Sequence, residues 1–229
     1  VHMARKAFLG KGPIPVVHID TTFKFKQIYE FRDKYTKEWN LNLIIAKNDT
    51  ALQEGMSPEK GRFNCCNALK TEVLKQVIKK ENFKALLVGI RRDEHAIRAK
   101  ERYFSLRDKE FRWDYQNQPL ELWAQHYKSE DDSDTHFRVH PLLHWQEIDV
   151  WRYIKRERLP VVNLYFSKEG RRYRSIGCEC CCEPVESSAN NIDKIIDEIN
   201  NTTISERTGR AQDKENICAM QRLRSLGYM

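Results

Sequence analysis

The sequence predicts an α/β fold built on a doubly wound, mostly parallel sheet. Three observations predict it. Short apolar runs at 14–20, 41–47 and 85–90 have the length and composition of strands buried on both faces. Stretches with helical spacing of apolar residues, at 23–39 and 67–82, lie between them. The resulting order of strand, helix, strand, helix, strand is the order of βαβ units, whose ligands bind at the carboxyl ends of the strands.

Each element follows from its own pattern. The first run ends in His18 and Asp20, polar groups at the edge of an apolar strand. Phe25, Ile28, Tyr29 and Phe31 mark one side of the helix that follows, and LNLIIAK at 41–47 is the next strand. Leu69, Val73, Leu74, Val77 and Ile78 turn the helix at 67–82 inward, and ALLVGI at 85–90 forms a third buried strand. Asp20 and Thr21 are thereby expected on one rim with Arg91, Arg92 and Asp93. Residues 94–107 predict a helix or helical turn with Arg98 and Arg102, four apart, on a shared face. The polar stretch 108–136, with Trp113, Trp123 and an acidic EDDSD run, reads as an exposed lid or docking excursion. A strand at 137–142, a helix at 145–157 and helical segments at 190–200 and 213–225 complete the chain. The expected organisation is a nucleotide-binding α/β domain over 1–160 and a C-terminal cysteine-cluster and site-closing region over 161–229, helical and irregular.

Composition narrows the class. The 229 residues are 40% hydrophobic and 32% charged, which fits a globular protein and not a disordered one. No apolar run approaches the length that spans a bilayer, so no membrane role is expected. The net charge of +7 suits nucleotides, sulfate, nucleic acid or acidic partners, although on charge alone a solvated surface rich in Lys is the plainer explanation. Six of the seven cysteines fall in two clusters, Cys65–Cys66 and Cys178, Cys180, Cys181 and Cys182, with Cys218 apart. Without a secretion signal, such clusters read as metal or redox sites in a reducing compartment, and a cytoplasmic location is expected. The chain starts at Val1 and not at Met, which leads us to expect that a segment precedes it.

Three constellations carry chemistry. HIDTTFKF at 18–25 ends a strand in His18, Asp20 and Thr21, either a nucleotide-facing rim or a capped helix start. GIRRDEHAIRAKER at 89–102 concentrates Arg91, Arg92, Arg98, Lys100 and Arg102 directly after a buried strand. Guanidinium groups bind phosphate and sulfate through paired donors, and the competing reading is an ion-pair lattice with Asp93, Glu94 and Glu101. Cys65–Cys66 with Cys178 and Cys181, the last two in a CxxC relation, supplies four thiolates. That set serves a [4Fe–4S] cluster or a structural zinc, with buried inert thiols as the alternative and the choice among Cys180, Cys181 and Cys182 open.

HIDTTFKFKQIYEFRD, KTEVLKQ, GIRRDEHAIRAKERYFSLRD, LELW, RVHPLLHWQEIDVWRYI and TTISERTGRAQDKE together resemble the small subunit of bacterial sulfate adenylyltransferases, from about residue 4 to the C-terminus. The resemblance implies a Rossmann-like sheet of the adenine-nucleotide α-hydrolase-like type. It also implies attack of sulfate on the α-phosphate of ATP, with magnesium, giving adenosine 5′-phosphosulfate and pyrophosphate, driven by a GTPase large subunit. Arg91, Arg92 and Arg98 are expected in catalysis. His18, Asp20, Thr21, Asp93 and Arg102 are expected on the nucleotide or substrate, and Arg207, Gly209 and Arg210 in a segment that closes the site.

Two departures accompany the resemblance. VHMARKAF looks like the helix that follows an SxGKDS-type loop, and activity is expected to depend on that loop, which is outside these residues. The CC pair and YRSIGCECC instead resemble the cluster motifs of iron–sulfur adenylylsulfate reductases. A reductase is the first alternative. Against it, the chain ends RLRSLGYM without a tail cysteine. A tRNA-thiolating enzyme is the second, disfavoured because no stacking aromatics interleave with the basic residues. A non-catalytic binding subunit is the third.

Overall fold

Helix α1 (His2–Ala7) leads through a turn into β1 (Val16–Ile19), α2 (Lys26–Glu38) and β2 (Leu43–Ala46), with β1 and β2 paired in parallel from Val16↔Leu43 to Ile19↔Ala46. This is a computed structural model, and it describes residues 1–116, 118, 121, 136–211, 222, 223 and 225–227. Parallel neighbours need a crossover element, and α2 is that element. Along α2, Phe31, Tyr35 and Trp39 stack in steps of four residues, with ring centroids 4.4 and 5.4 Å apart. Helix α1 docks on this ladder: the Arg5 guanidinium lies 5.0 Å from the centre of the Trp39 ring.

After β2 come the short helices α3 (Asp49–Gln53) and α4 (Arg62–Cys66), then α5 (Glu72–Glu81). A single π-helical turn, Asn67–Thr71, joins α4 to α5, so the helix expected at 67–82 begins earlier and is underwound next to Cys66. Val73, Leu74, Val77 and Ile78 of α5 pack against Ile19 and Ala46, which makes this the core of the first half. Asn82, with φ +51°, ends the helix in the left-handed conformation usual for a C-terminal cap.

A second sheet has the order β3 (Ala85–Leu87), β5 (His136–Val139), β4 (Phe104–Arg107), with β3 parallel and β4 antiparallel to β5. The helical reading of 94–107 is therefore corrected: only Ala96–Lys100 is helical, as a 3-10 turn, and Phe104–Arg107 is a strand. Its residues alternate exposed and buried, the two-residue period of a strand. Ser105 and Arg107 point inward, where Arg107 pairs with Glu101 at 3.2 Å and both side chains are fully buried. Burial alone pulls the Arg107 guanidinium down to about 9. The parallel strands thus sit in two small sheets, not in one continuous one.

Helices α6 (Glu147–Arg156) and α7 (Ile192–Asn201) share one apolar cluster built on Trp151, Ala189 and Ile195, across the expected boundary at 160. Between them a short antiparallel pair, β6 (Arg171–Arg172) and β7 (Val185–Glu186), brackets the second cysteine cluster. The expected helix at 213–225 falls mostly outside the described residues, as do Cys218, Trp123 and the EDDSD run. No helix among the described residues is long and apolar enough to cross a membrane.

Candidate active site

β1 delivers the first group. Asp20 is buried and would resist ionisation there, but the Thr22 amide and the Tyr29 hydroxyl, each donating at 2.9 Å, and Lys47 at 3.4 Å outweigh burial and hold its pKa below the usual carboxylate value. Thr22 itself adopts φ +63°, a conformation rare for a β-branched residue. His18 is pulled down to about 4, first by burial and then by Lys24 and Arg32, so it is neutral at pH 7. Its Nε2 is buried and has no hydrogen-bond partner among the described residues. Thr21 reaches away from the strand end to the Cys178 thiol, 3.2 Å from its hydroxyl.

β3 delivers the second group. Arg91 is buried, its Nε donates to Asp93 at 2.9 Å, and it also pairs with Glu206. Asp93 in turn accepts from the Glu147 amide at 2.7 Å, at the start of α6. Glu147 binds Arg174 through three contacts of 3.0, 3.2 and 2.6 Å, and Arg174 donates at 2.6 Å to the carbonyl of Ile204. Arg98 pairs with Glu94, which also takes Arg207 at 3.4 Å. Arg91 and Arg98 are thus drawn into an ion-pair lattice that ties the strand end to the segment 204–207. Arg92 stands apart: it donates to the Glu101 carbonyl at 3.1 Å and lies 5.7 Å from the Tyr103 ring, with no carboxylate contact among the described residues. Arg102 is held by its carbonyl, which accepts from His140 at 2.7 Å.

The C-terminal segment closes against the cysteine loop. Gly209 lies so close to the Glu183 backbone that a Cβ there would sit 2.3 Å from the Glu183 carbonyl oxygen, and the Glu183 amide donates to the Gly209 carbonyl at 2.8 Å. Arg210 donates at 3.4 Å to the Cys182 thiol, which also accepts from the Gly177 amide at 3.0 Å. A Cβ on Gly177 would stand 2.4 Å from the Arg210 guanidinium. Gly177 and Gly209 are both required by close approach.

The thiols divide into two environments. Cys65 and Cys66 end α4 and are buried, as are Cys178 and Cys181. Burial pushes the Cys65 thiol up to about 12, and Cys66, Cys178 and Cys181 add to the shift as neighbouring charges. Cys66 is likewise raised by burial, against the Lys70 ammonium 3.5 Å from its sulfur. Cys182 is committed to Arg210 and Gly177, and Cys180 is exposed. The Glu179 amide donates to the Phe23 carbonyl at 2.7 Å, and Lys24 bridges to Cys178, which fixes the cysteine loop to the outlet of β1. Among the described residues no three His, Cys, Asp or Glu groups converge as ligands of one ion.

Two side chains missing from the sequence reading connect these parts. Lys24 is under the electrostatic influence of Asp20, Cys178, Lys70 and Arg210. Tyr165, pushed up to about 12 by burial and by Glu206, also senses Arg91, Arg210 and Cys182. Glu206 was visible as part of SERTGR, yet no local signal in that string marks it as the partner of Arg91.

The model of the phosphoadenosine phosphosulfate reductase domain family matches residues 1–184. Sulfate adenylyltransferase subunit 2 of Saccharophagus degradans is 40% identical over all of this chain and 85% of its own length. The protein of the same name from Psychromonas ingrahamii is 39% identical over the same shares. A phosphoadenylyl-sulfate reductase from Candida auris, solved as a phosphate complex, has the same fold at 19% identity and a TM-score of 0.53, covering 80% of this chain and 75% of its own.

Proposed function

Since the chain belongs to the phosphoadenosine phosphosulfate reductase domain family, and within it to the group of sulfate adenylyltransferase subunit 2, we propose that it joins sulfate to the adenylyl group of ATP, as a nucleotidyltransferase. The observation that carries this reading at the site is the arginine-rich end of β3, closed over by the segment 204–210. A sulfate oxygen attacks the α-phosphorus, the bond to the bridging oxygen breaks, and pyrophosphate leaves with that electron pair. Nothing in this step needs a covalent enzyme intermediate. The protein's part is to position two anions and offset their charge.

Arg92 is the first contact for an incoming anion, because no carboxylate competes for it among the described residues. Arg91 and Arg98 contribute when an anion exchanges with Glu206 and Glu94. His18 and Asp20 line the nucleotide side, Thr21 supports them from behind through the Cys178 thiol, and Asp93, Arg102, Arg207, Gly209 and Arg210 complete and close the rim. ATP enters with magnesium bound to its phosphates, as the charge on a triphosphate requires.

In the same reading Cys65, Cys66, Cys178 and Cys181 hold a [4Fe–4S] cluster that fastens α4 to the cysteine loop, with Lys24 and Lys70 offsetting its negative charge. The location that suits such a cluster is the cytoplasm, where thiols stay reduced. The words "subunit 2" in the relatives' names support a heteromer, and the partner we propose is a GTPase large subunit.

The test is sulfate-dependent exchange of labelled pyrophosphate into ATP by the full-length protein with its partner subunit. Exchange that requires sulfate supports the reading. Thioredoxin-dependent release of sulfite from adenylylsulfate without exchange replaces it by a reductase.

A further inference from the structure

Three consecutive carbonyls after the 3-10 turn Ala96–Lys100 are each held from outside their own segment. That of Glu101 accepts from Arg92 Nη2 at 3.1 Å, that of Arg102 from His140 Nδ1 at 2.7 Å, and that of Tyr103 from the His140 amide at 2.9 Å. A carbonyl only accepts, so His140 carries its proton on Nδ1. The circuit closes through the turn after β5. The Leu143 amide donates to the His140 carbonyl at 3.2 Å, and the Arg92 amide donates to the Leu143 carbonyl at 3.0 Å. Arg92 is therefore tied at its amide and at its guanidinium to the two segments that His140 joins.

Beneath this circuit lies a buried ion pair. The Glu101 amide donates to the Arg98 carbonyl at 3.1 Å, and its carboxylate takes Arg107 at 3.2 Å. Arg107 is fixed through its other terminal nitrogen, which donates to the Ser105 hydroxyl at 2.6 Å and to the Leu106 carbonyl at 3.0 Å. Its guanidinium also lies 5.1 Å from the centre of the Trp113 ring. Amide, carboxylate and carbonyl of Glu101 are thus all engaged, and its backbone cannot turn without breaking a buried contact. Glu101, Arg107 and His140 are 0%, 1% and 1% exposed, so none of them can touch a ligand. The side chain they present at the rim is that of half-buried Arg92.

We propose that Glu101, Arg107 and His140 are positioning residues that hold Arg92 in its direction at the rim and affect an anionic nucleotide only through it, a role that rests on Arg92 being the first contact for an anion. A guanidinium binds phosphate through paired donors in a fixed plane, so direction matters to it as much as charge. A free arginine would spread over several rotamers, and ordering it would offset part of the binding. The circuit completes that ordering when the chain folds. The competing role is general support of the sheet, in which a loss would spread over every group of the rim.

The test is a double-mutant cycle on ATP affinity, read by calorimetry on the full-length protein with its partner subunit. His140→Leu removes the donor to Arg102 and should weaken ATP binding by about tenfold. His140→Asn brings an amide N–H near the place of Nδ1 and should restore affinity to within about twofold of wild type. In an Arg92→Ala background His140→Leu should cause no further loss, because the side chain it directs is gone. Glu101→Gln, alone and with Arg92→Ala, makes the same comparison if His140→Leu fails to fold. An equal loss in both backgrounds overturns the proposal in favour of general support. Full affinity in His140→Leu and in Glu101→Gln, where Arg92→Ala has lost it, overturns the positioning role and leaves Arg92 as an anion contact. Unchanged affinity in Arg92→Ala overturns both together.

Discussion

Arg91, four residues beyond the end of β3, forms an ion pair with Glu206, 115 positions later in the chain. The pair is the hinge between the arginine rim and the C-terminal segment, and Asp93 supports it from the other side of the same guanidinium at 2.9 Å. Burial pushes the Glu206 carboxyl up, while Arg91 pulls it back. A residue expected to act on a ligand thus also holds the segment that closes over it.

Arg91 and Arg92 should therefore separate in their effects. Arg91→Ala leaves Glu206 without its guanidinium and should lower stability by about 2–3 kcal/mol, below the full cost of a buried pair because Asp93 is partly exposed. Arg92→Ala breaks no carboxylate contact among the described residues and should melt nearly as wild type, yet lose about tenfold to hundredfold in nucleotide affinity. Calorimetric titration beside a melting curve reads both. Unchanged affinity in Arg92→Ala removes that residue from the site.

Stability should fall steeply in mild acid. His136 and His140 are pulled down to about 4, first by burial, and are neutral in the fold. Below about 6.5 the unfolded chain takes protons that the folded chain refuses, so stability is present above that pH and is lost as pH drops toward 4, by up to about 2.7 kcal/mol per pH unit for the two. His18, also at about 4, adds to the slope. Urea midpoints at pH 7, 6, 5 and 4 measure it. A flat profile would mean that these rings are solvated.

The thiols should sort by environment. Anaerobically purified protein is expected to be brown, with about four iron atoms per chain. Serine at Cys65, Cys66, Cys178 or Cys181 should abolish the colour, whereas Cys180→Ser and Cys182→Ser should keep it, since those two sulfurs face solvent and Arg210. Colourless wild-type protein with one zinc exchanges the cubane for a tetrahedral site.

Gly209→Ala should destabilise the closing segment. The added methyl would meet the Glu183 carbonyl at 2.3 Å, a backbone atom that cannot swing aside, and relief requires breaking the Glu183 to Gly209 hydrogen bond. A loss of about 1–3 kcal/mol follows. Proteolysis after 200 should quicken in the variant, and wild-type resistance there would show that the backbone adjusts freely.

Legibility differed between elements. The strand ends at Asp20 and Arg91 and the inward face of α5 were readable, because apolar periodicity is a property of a dozen neighbouring residues. Phe104–Arg107 was misread as helix because its two-residue period spans only four residues and follows a genuine helical turn. The π turn beside Cys66 has no sequence mark at all.

By itself the sequence determined the α/β class, the arginine-rich stretch after the third strand and the two cysteine clusters, since each is written in adjacent or regularly spaced residues. Only the tertiary structure decided that Cys182 turns to Arg210 while Cys178 takes the Thr21 hydroxyl, and that Arg91 is held by Glu206. Both outcomes depend on which elements pack together. Burial sets whether a thiol or a carboxylate must find a partner, and the partner is whatever the fold brings within 3–4 Å, however far away it lies in the chain.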